Sequence, residues 1–211
     1  MELNTLHDLY VHQLKDVYNA EKQITKALPK MIRAASSPDL ASALKEHLAV
    51  TETQISRLEE IFTKLEESTR GPKCKGMEGL LEEGAETLKA EGEPDVLDAA
   101  IIAAAQRVEH YEIAAYGTLR SYAEILGYRD AARLLDLTAN EEGEADHKLS
   151  ELAQGSINLL AASGNDSSAG VERGPARRSS KAAKAASTAK RGSQRRSSAT
   201  GRPRAAKAAS R

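Results

Sequence analysis

The sequence predicts an all-α fold: a four-helix bundle with one long crossover that holds a short helix, followed by a disordered C-terminal tail. Three observations predict it. Apolar residues recur three or four apart through four long segments, and no stretch alternates as a strand does. Two of the connections between those segments are tight turns and the third is long, which makes antiparallel hairpins joined by a crossover. The charge is also divided. The 211 residues sum to −1, but residues 163–211 hold 13 Lys/Arg against 2 acids (+11), and residues 1–162 hold 17 against 29 (−12). We therefore divide the chain into a bundle domain over residues 1–162 and a basic tail over residues 163–211.

The first helix is expected from about Leu3 to Ala35, striped by Leu6, Tyr10, Leu14, Val17, Glu21, Ile24, Leu28 and Met31, with a kink or early end at Pro29. "SSPD" (36–39) turns the chain. The second helix, about Leu40 to Glu67, is striped by Leu44, Leu48, Thr51, Ile55, Leu58 and Phe62. "STRGPKCKG" is a loop by its Gly and Pro, and a short helix fills about Met77 to Glu91. Pro94 opens the third long helix, which Gly127 ends after Leu126. The fourth runs from about Asp130 to Gly155 on Ala131, Leu135, Thr138, Glu142, Ala145, Leu149 and Leu152. One Phe, six Tyr and no Trp suit close helix contacts through alanine. The stretch from Arg177 onward has no aromatic and no large aliphatic residue, so it cannot offset its ordering entropy by burial.

The segment "RVEHYEIAAYG" (107–117) sets Glu109, His110 and Glu112 inside an Ala/Ile-rich helix. A buried carboxylate must be neutralised, paired or bound to metal. Helix rise converts spacing into height. Glu21 and Glu52 each lie about 15 residues from the first turn, Glu112 and Glu142 about 15 from Gly127, so at ~1.5 Å per residue each stands roughly 23 Å from its turn. Four helices then deliver one acid each to mid-bundle, the way bundles build two-metal carboxylate sites. Glu109 and Asp146 lie about one turn deeper, as further ligands or as hydrogen-bond partners of ligands. His47 and His110 offer nitrogen, His110 more as a hydrogen-bonding neighbour than as a ligand. Tyr18 and Tyr111 lie within a turn of these acids, where they can donate hydrogen bonds or serve as ordinary core residues. "EADH" (144–147) matches the Glu-x-x-His spacing of di-iron helices, but Glu144 and His147 fall about 200° and 140° from Glu142 on the wheel, facing solvent. Carboxylate and imidazole suit iron and manganese alike, and the pattern alone does not choose between them.

Other chemistry is absent. Cys74 is the single cysteine, so no internal disulfide forms. The Gly-rich stretches lack phosphate-loop spacing, and no Ser/His/Asp or Cys/His set is placed for nucleophilic catalysis. The N-terminal residues show no apolar run of signal-peptide length, and the longest such run, Ala99–Ala105, is too short to span a bilayer. A cytoplasmic protein is expected, with nucleoid association if the tail binds DNA. In that case Arg177, Arg178, Lys181, Lys184, Lys190, Arg191, Arg195, Arg196, Arg202, Arg204, Lys207 and Arg211 follow phosphates without reading bases.

Residues 1 to about 160 resemble the YciE/YciF family of ferritin-like proteins. The resemblance rests on "DVYNAEKQITKALPKM", "HLAVTETQISRLEEIF", "KCKGMEGLLEEG", "AAIIAAAQRVEHYEIAAYGTLRSYAEILG" and "NEEGEADHKL". It implies a ferritin-like bundle of the rubrerythrin type, a di-iron site, a homodimer and a place in bacterial stress responses. By motif match, Glu21, Glu52, Glu109, Glu112, Glu142 and Asp146 fall on the family's acidic positions, and His47 and Gln54 match too. The chain departs from the pattern at Ala49 and Val50, where relatives often carry acids, which makes the second-helix ligand the least secure. The tail resembles the Ala/Lys tails of bacterial histone-like proteins.

Two functions follow as expectations. The first is a di-metal oxidoreductase of stress response that reacts with peroxide or O₂, or oxidises Fe(II), held on DNA by its tail. The alternative is a non-catalytic DNA-associated or partner-binding bundle with an incomplete metal site.

Overall fold

Local hydrogen bonding decides where the helices begin. Thr5 Oγ1 accepts from the Asp8 N–H (3.1 Å) while Asp8 Oδ2 accepts from the Thr5 N–H (2.9 Å), a reciprocal box that opens α1 (Leu6–Ala34). Ser37 caps α2 (Pro38–Lys64), with Pro38 at its first position, where no N–H is needed. Cys74 caps the short α3 (Lys75–Thr87) with its sulfur. The chain then forms α4 (Pro94–Ile125), α5 (Arg129–Leu152), a π-turn (Ala153–Ile157) and α6 (Asn158–Ser163). This computed structural model describes residues 2–163, and among them no strand occurs. The tail division and the nucleic-acid contacts expected of the tail lie outside the described residues.

The expected elements are present with shifted ends. α1 continues through Pro29, its cap closing as the Ala35 N–H donates to the Met31 carbonyl at 2.9 Å, while Leu28 and Met31 stay buried around the proline. α2 stops at Lys64 rather than Glu67, because Glu66 adopts a positive φ of 56°. α3 starts two residues earlier than Met77, at the thiol cap, and ends at Thr87. Gly127 has φ +80°, the left-handed conformation that lets the Tyr128 N–H reach back to the Ala123 carbonyl at 2.8 Å.

α1 packs on α2 and α4 on α5, and the two hairpins meet through α1 with α4 and α2 with α5. Residues 65–93 cross between them and carry α3, which rests on α4 and α1. This is the ferritin-like four-helix bundle with one long crossover. Asp98 of α4, fully buried, ties the hairpins together: its two carboxylate oxygens accept from the Ser36 and Ser37 N–H groups at 2.8 and 2.7 Å. No helix among the described residues is long and apolar enough to cross a membrane.

The apolar core is two blocks rather than one. One gathers Ile24, Leu28, Leu40, Leu44, Ile102, Ala105 and Leu149; the other gathers Tyr10, Leu14, Leu58, Phe62, Leu119, Ala123 and Leu135. Each of the four long helices contributes to both. Between the blocks lie the buried polar residues Glu21, His47, Thr51, Gln54, Glu109, Glu112, Thr138 and Glu142. The interruption of the core is thus a polar layer at one height on every long helix.

Candidate metal centre

Glu21 comes from α1, His47 from α2, Glu109 and Glu112 from α4, and Glu142 from α5. The heptad spacing of α2 turns Leu40, Leu44, His47, Thr51, Gln54 and Leu58 inward, so its helix stripe delivers the imidazole. Glu109 and Glu112, three residues apart on α4, share a face. His47, Glu109, Glu112 and Glu142 each bring one donor atom to a group whose members all lie within 4.8 Å of one another. His47 Nε2 stands 3.4 Å from Glu109 Oε2 and 3.8 Å from Glu142 Oε2. Glu21, completely buried, adjoins this group and is influenced by Glu142 and Glu112.

The protein leaves the inward atoms of this group without partners. Glu21 Oε2, His47 Nε2, Glu109 Oε2, both oxygens of Glu112 and Glu142 Oε2 are buried and make no hydrogen bond. Buried polar atoms are almost always satisfied, so six such atoms on these neighbouring residues, four of which bring a donor within 4.8 Å of one another, mark a place that could hold a ligand the protein does not supply. Four carboxylates and one imidazole form a hard, nitrogen-containing donor set of the kind that holds iron or manganese, and the residues present fit such ions.

The electrostatics agree. Burial, then the charge of Glu142, pushes Glu21 up to about 8, even though the Tyr116 hydroxyl stabilises its anion. Burial raises Glu109 and Glu112 well above the usual carboxylate range; the next cause is Glu142 for Glu109 and Glu21 for Glu112. Without cations these groups hold protons, because like charges this close cannot all ionise. Burial lowers the pKa of His47 against the pull of Glu142 and Glu141, so the imidazole is neutral at pH 7 and its contact with Glu109 is not an ion pair.

A ring of residues aims the ligands. The Tyr116 hydroxyl donates to Glu21 Oε1. The Gln54 amide donates to Glu142 Oε1 and, at 3.2 Å, to Glu141 Oε2. Arg57 grips Glu141 with both terminal nitrogens, Nη2 at 2.7 Å from Oε1, and reaches Thr138 Oγ1 at 3.2 Å. Burial is the largest influence on Glu141 and raises its pKa, but the hydrogen bonds from Arg57 and Gln54 and the charge of Arg57 together outweigh it and hold the carboxyl below its ordinary value.

Other residues proposed from sequence stand elsewhere. Glu52 is exposed, because it follows the inward Thr51 by one residue and so points about 100° away on the wheel. The α2 place at the site belongs to His47. Asp146 is half-buried and turned to α4, where Gln106 Nε2 donates to it at 2.9 Å and His110 Nε2 lies 3.5 Å away. His110 itself is exposed. Tyr18 donates to Glu59 at 2.8 Å, and Tyr111 donates to Asp16 at 2.7 Å beside Cys74 Sγ, so neither bonds a cluster residue. Glu144 and His147 are exposed. Sequence reasoning missed Tyr116 and Arg57. Tyr116 was findable, since it lies four residues past Glu112 on the same face.

Residues 5–162 match the family described as the domain of unknown function DUF892. This chain belongs to that family. Within DUF892, it is 46% identical over 162 residues to Protein YciF of Escherichia coli (strain K12), which covers 76% of this chain and 98% of that one. The crystal structure of the E. coli protein, described as a stress protein, aligns with a TM-score of 0.72 at 46% identity over 74% of this chain and 99% of its own. YcfI from Rhodopseudomonas palustris aligns with a TM-score of 0.69 at 49% identity, over 71% and 95%. A Xanthomonas campestris protein at 20% identity and TM-score 0.61 shares the DUF892 fold.

Proposed function

We propose that this chain is a di-metal carboxylate protein that binds two divalent ions, iron first and manganese second, and reacts with peroxide or O₂ or oxidises Fe(II). The observation that carries the reading is the set of six buried, unpartnered donor atoms on Glu21 and on the close group of His47, Glu109, Glu112 and Glu142. Charge argues for two ions: four ionised carboxylates carry −4, which two divalent cations balance, whereas one would leave −2 buried in apolar surroundings. Glu21, His47, Glu109, Glu112 and Glu142 would hold them. Bound there, a metal pair supplies Lewis acidity and electrons toward a small oxidant.

The chain's own residues do the rest. Tyr116 orients Glu21 by its hydroxyl, and Gln54 orients Glu142 by its amide. Arg57 fixes Glu141, which in turn aims the Gln54 amide. The two apolar blocks keep bulk water from the layer on both sides. The description of the E. coli relative as a stress protein fits a role in oxidant defence.

The test loads EDTA-treated protein anaerobically with Fe(II) and then adds peroxide. We expect two irons per chain and peroxide consumption that Glu112→Ala abolishes. No bound pair, or turnover unchanged in Glu112→Ala, overturns the reading.

The tail supports a second, separable proposal. Its 13 cations against 2 acids suit it to track a phosphate backbone, and would place the bundle on DNA. Deleting residues 163–211 should abolish DNA retention at low salt; retention that survives the deletion ends this idea.

A further inference from the structure

One cleft reaches the carboxylate layer from the surface. Between α2 and α5 lies a cavity of about 190 Å³, walled by Ala43, Val50, Ala145 and Leu149. His47 and Glu109 line it as well, 8% and 2% exposed, and both present an unpartnered atom (Nε2 and Oε2). The volume takes several waters, hence a partly hydrated divalent ion. Alanine and valine on the walls leave the passage open where larger side chains would fill it.

The rim is acidic. Glu46, Glu141 and Glu144 stand there against the single ammonium of Lys148. Lys148 bonds Glu46 across the opening, and Arg57 holds Glu141 from behind. Glu144 has no cationic partner within ion-pair distance among the described residues. A low-dielectric cleft with a negative rim concentrates cations and resists anions.

We propose that this cleft is the loading door of the buried site: divalent cations enter and leave between α2 and α5, collected at the rim by Glu144, under the strut formed by Lys148 and Glu46. The inference rests on the metal-binding reading above and adds the route and the charge selectivity. It also gives Val50 a role, since an acid there would hold a cation in the passage instead of letting it through.

The experiment follows Co(II) binding and release by the full-length, EDTA-treated protein in stopped flow. Two plugs on opposite walls, Val50→Trp and Ala145→Trp, are compared with Glu144→Gln, after circular dichroism has shown each variant folded. Filling the open passage should slow both uptake and release to EDTA by about tenfold or more, with final stoichiometry and affinity unchanged, since packed protein leaves few gaps an ion can cross. Glu144→Gln should slow uptake by about threefold at low salt and flatten its salt dependence, as loss of electrostatic steering does. Both plugs loading at the wild-type rate would overturn the door while leaving the metal site standing. A plug that lowers stoichiometry or affinity instead of the rates would also overturn it, by making these positions part of the site. No Co(II) uptake by the wild type would overturn the site and the door together.

Discussion

Glu112 offers the sharpest perturbation, because it is buried with both of its oxygens unpartnered. Glu112→Leu removes a carboxyl that the metal-free protein must keep protonated and unsatisfied. Leaving a buried polar group unmatched costs ~1–3 kcal/mol, so the variant should stabilise the metal-free protein by about 2 kcal/mol. For a domain of this size that is about 4–8 °C in Tm. The metal-loaded protein should show the opposite. At free metal about 100-fold above Kd the wild type gains ~2.7 kcal/mol, a gain that the variant forfeits with its ligand. Scanning calorimetry of both proteins, with and without Mn(II), should therefore give melting curves whose order reverses on adding metal. Glu112→Gln, which keeps the volume, separates packing from charge: it should lose the metal response with little change in metal-free Tm. A variant that melts several degrees below the wild type without metal, yet shifts upward with metal as far as the wild type does, would refute the reasoning.

Three further outcomes are expected. Glu21 is raised in the fold, from the ordinary 4.5 to about 8, so the metal-free fold has its contribution in full below pH 4.5 and loses it as pH rises through 8. Metal-free Tm should accordingly fall between pH 5 and pH 8, and a Tm that rises across that interval would contradict the shift. Asp98→Ala strips the Ser36 and Ser37 N–H groups of their buried acceptors and should cost ~2–4 kcal/mol, measurable in urea titrations as a lower midpoint at unchanged slope. Glu52→Gln, on the exposed face of α2, should leave metal stoichiometry as it is, checked by elemental analysis after desalting.

The fold was readable in the sequence because the SSPD turn, Pro94 and Gly127 mark helix ends, and because two short turns leave few topologies; the Thr5 cap, two residues inside the expected start at Leu3, went unread. The height of the site was readable too: Glu21, Glu112 and Glu142 occupy the same layer, as counting residues from the turns requires. Rotation was harder. Glu52 has the right height and the wrong azimuth, while His47 lies five residues nearer its turn and reaches the layer along the inward stripe. An expectation that weights Leu48 rather than His47 places that stripe about 100° off. Asp146 shows the same limit, since its neighbours on α4, Gln106 and His110, draw it to the side, and nothing in the spacing announces them. The boundary at Lys64 depended on a positive φ at Glu66, a conformation that glutamate does not advertise.

The split core has an evolutionary consequence. Since each greasy half clamps all four rods independently, the middle is under little obligation to hold them together. Ligands there can be swapped, lost or regained across a lineage without any ancestor having to pass through an unfolded form. Such a scaffold lets its chemistry drift while its shape endures.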